Sequence, residues 1–181
     1  MNHYYQSLGE NWFTYPKLYS AMVNKYDSGL FVEVGSWKGM SASYMGVEII
    51  NSKKHIKLHC IDSWEWLSSQ QEIPQKKFKG LYDTFINNIE PVKDVVLPVR
   101  GISWECADQY PDESIQFVFI DAAHDYQSVK KDLNAWWSKV AIGGTFAGHD
   151  YAWCNDVKRA VNEFFPEGIK EQEGCWIYNK K

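Results

Sequence analysis

Residues 30–40 read Leu-Phe-Val-Glu-Val-Gly-Ser-Trp-Lys-Gly-Met, and this stretch decides the fold. Residues 30–34 form an apolar run of strand length, interrupted only by Glu33, as a strand covered on both faces requires. Gly35-Ser36-Trp37-Lys38-Gly39 is a glycine-punctuated turn, and a helix is predicted over about 40–50. The same strand-then-helix alternation continues outward. Strands are predicted at 55–61, 94–99, 115–120 and 145–148. Helices are predicted at 78–88, 103–109, 127–140 and 156–165, with Gly143-Gly144 stopping the third of these. A terminal hairpin is predicted from 169–172 and 175–178. Such alternation is the pattern of an α/β domain with a mainly parallel sheet.

The 181 residues suit one domain, 29–181, preceded by a helical segment or lid over 1–28 that starts its helix near Pro16. Hydrophobic residues make up 45% of the chain, which is enough for a core. Net charge is −4, and no basic stripe marks a nucleic-acid partner. No run approaches the roughly 18 apolar residues of a membrane helix, and the N-terminus lacks a signal-peptide layout. Cys60, Cys106, Cys154 and Cys175 form no CxxC pair, so free thiols in a reducing cytoplasm are expected. A homodimer stays open.

Four clusters fall at the carboxyl ends of predicted strands: 33–39, Asp62, 121–126 and His149-Asp150. In an open parallel sheet those ends build the ligand crevice, so residues distant in sequence converge. Gly35 permits the tight turn, and Gly39 lets backbone approach a ligand at the helix start. The spacing is not G-x-G-x-x-G. Glu33, two residues before Gly35, suits a ligand with a cationic amino group and would repel a pyrophosphate. A buried, hydrogen-bonded structural acid is the alternative. Asp62 can accept both hydroxyls of a ribose, or cap a turn. His124 can take a proton from an acceptor hydroxyl, with Asp125 orienting it or facing water. A hydrogen-bonded loop histidine is the alternative. Asp121, His149 and Asp150 make a donor set for a divalent cation, Mg2+ by their oxygens or a transition metal by the imidazole. A metal-free arrangement, with Asp150 at a turn and His149 meeting substrate, is equally open.

Residues 31–42, Phe-Val-Glu-Val-Gly-Ser-Trp-Lys-Gly-Met-Ser-Ala, resemble motif I of class I methyltransferases in the form used by catechol O-methyltransferase-like enzymes. Residues 118–126, Val-Phe-Ile-Asp-Ala-Ala-His-Asp-Tyr, and 143–151, Gly-Gly-Thr-Phe-Ala-Gly-His-Asp-Tyr, resemble methyltransferase family 24. That group is similar to the macrolide-sugar O-methyltransferases. The resemblance covers about 29–178. It implies a Rossmann-like three-layer sandwich whose seven-stranded sheet is mostly parallel with an antiparallel last strand. It also implies S-adenosylmethionine as cofactor. Glu33, Gly35 and Ser41, with Ser36 and Gly39 of the turn, would surround its amino-acid end. Asp62 would hold the ribose, and Ser63 or Trp64 with Ser103 and Trp104 would line the adenine. Asp121 would sit by the sulfonium and could also ligate a metal. His124 stands where the catechol branch has a catalytic Lys, and Tyr151 stands where that branch has Asn after its second metal Asp.

The expected function is therefore methyl transfer from S-adenosylmethionine to a small-molecule acceptor, a sugar or aromatic hydroxyl. Asp121 and His124 are the expected catalytic residues, and a divalent metal such as Mg2+ is an optional addition. Two rivals remain: a non-catalytic S-adenosylmethionine-binding protein, and a nicotinamide-dependent oxidoreductase, which the Glu33 spacing disfavours. The 63–77 loop, with Trp64 and Trp66, and the N-terminal segment are expected to cover the acceptor.

Overall fold

Side chains alternate along the strands between two hydrophobic layers. On β1 (Ser28–Val34), Phe31 joins one layer while Val32 and Val34 join the other. On β4 (Ile115–Ile120), Phe117 and Phe119 face the first layer, and Ile115, Val118 and Ile120 the second. Both faces are covered, which is why these strands read as nearly unbroken apolar runs. Each fully buried Phe contributes about 2 kcal/mol by the area it removes from water. The structure is a computed structural model that describes residues 1–9, 12–65 and 74–181. Trp66 and the middle of the loop expected over the acceptor lie outside the described residues.

The remaining strands are β2 (His55–Asp62), β3 (Val96–Arg100), β5 (Val140–Gly148), β6 (Lys170–Gln172) and β7 (Cys175–Asn179). The sheet order is β3-β2-β1-β4-β5-β7-β6. Strands β1 to β5 are parallel, and β7 lies antiparallel between β5 and β6. This is the Rossmann-like sheet the sequence implied. The order runs outward in both directions from the β1–β4 pair, so a crevice opens there at the strand carboxyl ends.

Helices α1 (Pro16–Lys25), α2 (Met40–Ser52) and α3 (Leu81–Ile89) cover one face. Helices α4 (Ser103–Cys106), α5 (Tyr126–Trp137) and α6 (Asn155–Phe164) cover the other. Pro16 opens α1, where its missing N–H is no loss. The N-terminal segment is built into the core, since Phe13, Tyr15, Leu18, Tyr19, Met22 and Val23 are all buried.

The junction between α5 and β5 differs most from the sequence reading. Helix α5 ends at Trp137, and Gly143-Gly144 lies inside β5 instead of terminating a helix. The cause is distant in sequence. Gly143 N–H donates to the Lys180 carbonyl (2.9 Å), and Lys180 N–H donates to the Gly144 carbonyl (3.0 Å). The C-terminal chain thus supplies the hydrogen bonds that hold these glycines in the strand, with Gly143 at φ +78°. The four cysteines are free thiols. Among the described residues no helix is long and apolar enough to cross a membrane.

Candidate active site

A cavity of about 510 Å³ opens at the carboxyl ends of β1, β2, β4 and β5. Its wall includes residues 34–38, Ser41, 61–63, 101–104, 121–124, Ser128, Asp132, His149 and Asp150, together with Phe13 and Tyr15 from the N-terminal segment. Gly35 makes the convergence possible. Its φ is +88°, and a Cβ there would stand 2.0 Å from the Asp121 carbonyl oxygen. Only glycine tolerates both the left-handed backbone and the contact. Gly39, at φ +80°, caps the start of α2.

Glu33 points to the α1 side of the sheet, where Tyr19 donates to its Oε2 at 2.6 Å. The side chain is 1% exposed, and burial pushes its pKa up to about 7, partly offset by the tyrosine hydrogen bond. It does not itself line the cavity; its neighbours Ser36 and Ser41 do. Three buried polar atoms in this corner, Glu33 Oε1, Ser36 Oγ and Trp37 Nε1, make no hydrogen bond of good geometry among the described residues, although the Ser36 and Ser41 hydroxyls lie near enough to Glu33 to hold its pKa down. An unpaired buried polar atom is costly. This set offers an acceptor, a hydroxyl and an N–H donor, which is the chemistry an amino-acid ammonium and carboxylate require. The residues present therefore suit the amino-acid end of S-adenosylmethionine.

Asp62, at the end of β2, accepts backbone N–H bonds from Trp37 (2.9 Å, Oδ2) and Trp64 (2.8 Å, Oδ1). Both tryptophans have positive φ, +46° and +49°, a strained backbone that aims their amides at this carboxylate. Burial raises the Asp62 pKa against those hydrogen bonds. The Ser36 and Ser63 backbone amides also face this carboxylate and help to hold its pKa down. Trp64 does not line the cavity. Its indole donates to the Trp37 carbonyl and packs edge-on and tilted against Tyr82 and Phe85 in the core. Ser63, Ser103 and Trp104 do line it.

The second acidic centre is a network. Asp121 Oδ2 accepts from the Tyr15 hydroxyl at 2.7 Å. Asp150 Oδ2 lies 3.0 Å from His124 Nε2 and 3.3 Å from His149 Nδ1. His149 Nδ1 also stands 3.7 Å from Asp121, and its Nε2 meets the Thr14 hydroxyl at 3.0 Å. Burial would raise the Asp150 pKa, but the two imidazoles outweigh it and hold the carboxyl well below its ordinary value. Burial works against a charged His149, yet the Asp150 hydrogen bond and the two carboxylates carry its pKa upward. Burial raises Asp121 against the pull of His149. Asp150 adopts φ +59°, so this turn too is strained.

Ligand atoms of Asp121, His124 and Asp150 lie within 4.8 Å of one another, a set able to hold a cation. The histidine in that set is His124, whereas the sequence reading placed His149 there. Asp125 does not orient His124: it caps α5, accepting from Ser128 N–H at 3.0 Å. Tyr151 is buried and donates to Asn162 Oδ1, so it offers no ligand to the cavity.

Sequence reasoning missed Thr14, Tyr15, Tyr19 and Asp132. Tyr15 and Tyr19 are four apart at the start of α1, a spacing that puts both on one helix face. That aromatic pair was the available signal, although its acidic partners, Asp121 and Glu33, are set only by tertiary structure. Asp132 sits three residues after Val129 and four before Trp136, on the apolar stripe of α5. A charged residue on a buried stripe is itself a signal.

The chain matches the family described as a methyltransferase domain over residues 32–151. An uncharacterized protein of Acanthamoeba polyphaga mimivirus is 27% identical over 145 residues, covering 76% of this chain. The chain spans 59% of the length of that curated relative. Among solved structures, the O-methyltransferase NovP superposes with a TM-score of 0.73 at 18% identity, covering 92% of this chain and 79% of NovP. The O-methyltransferase from Bacillus cereus in complex with SAH gives 0.67 at 14% identity, covering 97% of this chain and 86% of the other. These likenesses agree on the fold, and the family match spans the Gly35 turn, Asp62, Asp121 and Asp150 together. The chain belongs to methyltransferase family 24.

Proposed function

We propose that this protein transfers a methyl group from S-adenosylmethionine to a hydroxyl oxygen of a small molecule, a sugar or an aromatic ring, with His124 removing the hydroxyl proton. The observation that carries this reading is the position of His124. It lines the same cavity as Ser36, Ser41 and Asp62, and its Nε2 lies 3.0 Å from Asp150.

When bound, the cofactor supplies an electrophilic methyl carbon on a positively charged sulfur. An acceptor oxygen would bond to that carbon as the carbon–sulfur bond broke, its electron pair passing to sulfur. The hydroxyl proton goes to His124, and Asp150 stabilises the resulting imidazolium. Asp62 would hold the ribose, and the Glu33 corner would hold the ammonium and carboxylate. Asp121, fixed by Tyr15, places a carboxylate beside the reacting centre. Aligning two bound reactants supplies up to roughly 7–11 kcal/mol of the barrier lowering, and proton removal adds about 10²–10⁴ in rate.

Ring stacking supports the acceptor class. Trp12 is 49% exposed on the cavity wall, stacked on Trp37 at 5.7 Å. Trp153 is 59% exposed with its ring 5.4 Å from His149. Exposed rings beside the cavity favour a flat aromatic or a sugar face.

A second reading rests on the same cluster. Asp121, His124 and Asp150 could hold a divalent cation, which would lower the proton affinity of the acceptor oxygen. The two readings give His124 different work, base or ligand. The His124→Ala variant should bind S-adenosylhomocysteine within about twofold of wild type and lose roughly 10²–10⁴ in turnover. Unchanged turnover removes His124 from the mechanism. Calorimetric titration of Mg2+ or Mn2+ into wild type and His124→Ala separates base from ligand, because only a ligand role makes metal affinity depend on His124. If the cofactor binds but no acceptor yields S-adenosylhomocysteine, the non-catalytic binder is favoured instead.

A further inference from the structure

Asp132 is a second buried acid, and the chemistry above leaves it unused. It lies on α5 and is 1% exposed, yet it reaches the cavity wall beside Ser128 and Ser103. A short relay fixes it. Trp136 Nε1 donates to Ser103 Oγ at 3.0 Å, and the Ser103 hydroxyl donates to Asp132 Oδ1 at 2.5 Å. Ser103 is the one hydrogen-bond donor that meets this carboxyl among the described residues. Burial pushes its pKa up to about 7. The nearby ammonium of Lys131 is engaged elsewhere, over the Trp104 ring at 4.5 Å. A carboxyl with room for several donors is thus held in a buried part of the wall by a single hydroxyl, an arrangement that favours a ligand N–H at its second oxygen.

Ile102 and Trp104, either side of Ser103, add apolar and aromatic surface to the same wall. The cofactor has one neutral N–H donor at its base end, the exocyclic amino group of adenine. We propose that Asp132 Oδ2 accepts a hydrogen bond from that amino group, so that this residue selects an amino purine over an oxo purine. The inference rests on the cofactor reading given above. An oxo purine would place a carbonyl oxygen against the carboxylate, two acceptors with no proton between them.

The test is calorimetry at pH 8, where the carboxyl is mostly ionised, with S-adenosylhomocysteine and its deaminated analogue S-inosylhomocysteine. Wild type should prefer the adenosyl compound by about tenfold or more. In Asp132→Asn the amide oxygen keeps the Ser103 bond and turns an N–H2 donor to the cavity, so the preference should vanish or invert. A merely structural role would weaken both ligands alike and leave their ratio unchanged, and that result overturns the proposal. Equal binding of the two ligands by wild type overturns it as well, with the cofactor reading intact. Binding of neither ligand by wild type removes the cofactor reading and this inference with it.

Discussion

Glu33→Gln separates what the buried acid costs from what it does. Burial moves Glu33 from its ordinary 4.5 to about 7 in the folded chain. Between those values the folded chain keeps a proton that the unfolded chain has released. Stability therefore falls as pH rises through this window, and the penalty is complete only above pH 7. The difference, 7 minus 4.5, is 2.5 units, which at 1.36 kcal/mol per unit is about 3 kcal/mol. Glutamine has the same shape, can still accept from Tyr19, and never ionises. The variant should gain stability over wild type, by about 1 kcal/mol or less at pH 5 and about 3 kcal/mol at pH 8.5. For a chain of this size that larger gain raises Tm by about 6–12 °C. The same change removes the negative charge next to the cofactor's ammonium, so S-adenosylhomocysteine should bind about tenfold more weakly or worse. Urea and thermal unfolding across pH 5–8.5, with calorimetry at the upper end, read both effects. A stability difference that does not change with pH would refute the reasoning.

Gly35→Ala combines a left-handed φ of +88° with a Cβ 2.0 Å from the Asp121 carbonyl. Strands β1 and β4 would have to separate at the crevice, so unfolding by urea should show a loss of about 3 kcal/mol or more, and calorimetry should show no cofactor binding. Tyr15→Phe deprives Asp121 of its hydroxyl donor, for a stability loss of about 1–3 kcal/mol. Without that donor the Asp121 pKa rises further, and the acid limb of the methyl-transfer pH profile should move to higher pH. An unmoved profile would exclude Asp121 from the titrating centre.

Much of this geometry was legible because strands buried on both faces leave a plain signature. Residues 115–120 form an apolar run that ends in Asp121, and β4 has those bounds. Titratable residues at the ends of apolar runs also located the cavity, since Asp62, Asp121, His149 and Asp150 all reach its wall. What stayed hidden depended on partners far along the chain. The Gly143-Gly144 pair carries a breaker's composition, and only Lys180 makes it strand. Tyr15 and Tyr19 read as ordinary aromatics because their acids lie on β1 and at the end of β4. Trp64 follows Asp62 closely enough to suggest a cofactor platform, but a φ of +49° turns its ring into the core against Phe85. Local pattern sets where strands end; it does not set which way a side chain turns after the last ladder bond.

The central claim is that one crevice, built from the tips of β1, β2, β4 and β5, takes the sulfur nucleoside along its length. A crystal structure of the protein soaked with S-adenosylhomocysteine tests it most directly. The account predicts ribose hydroxyls on Asp62, the ammonium and carboxylate in the Glu33 and Ser36 corner, and sulfur nearest Asp121. A nucleoside seated outside this cavity, or one whose ribose makes no contact with Asp62, would contradict it.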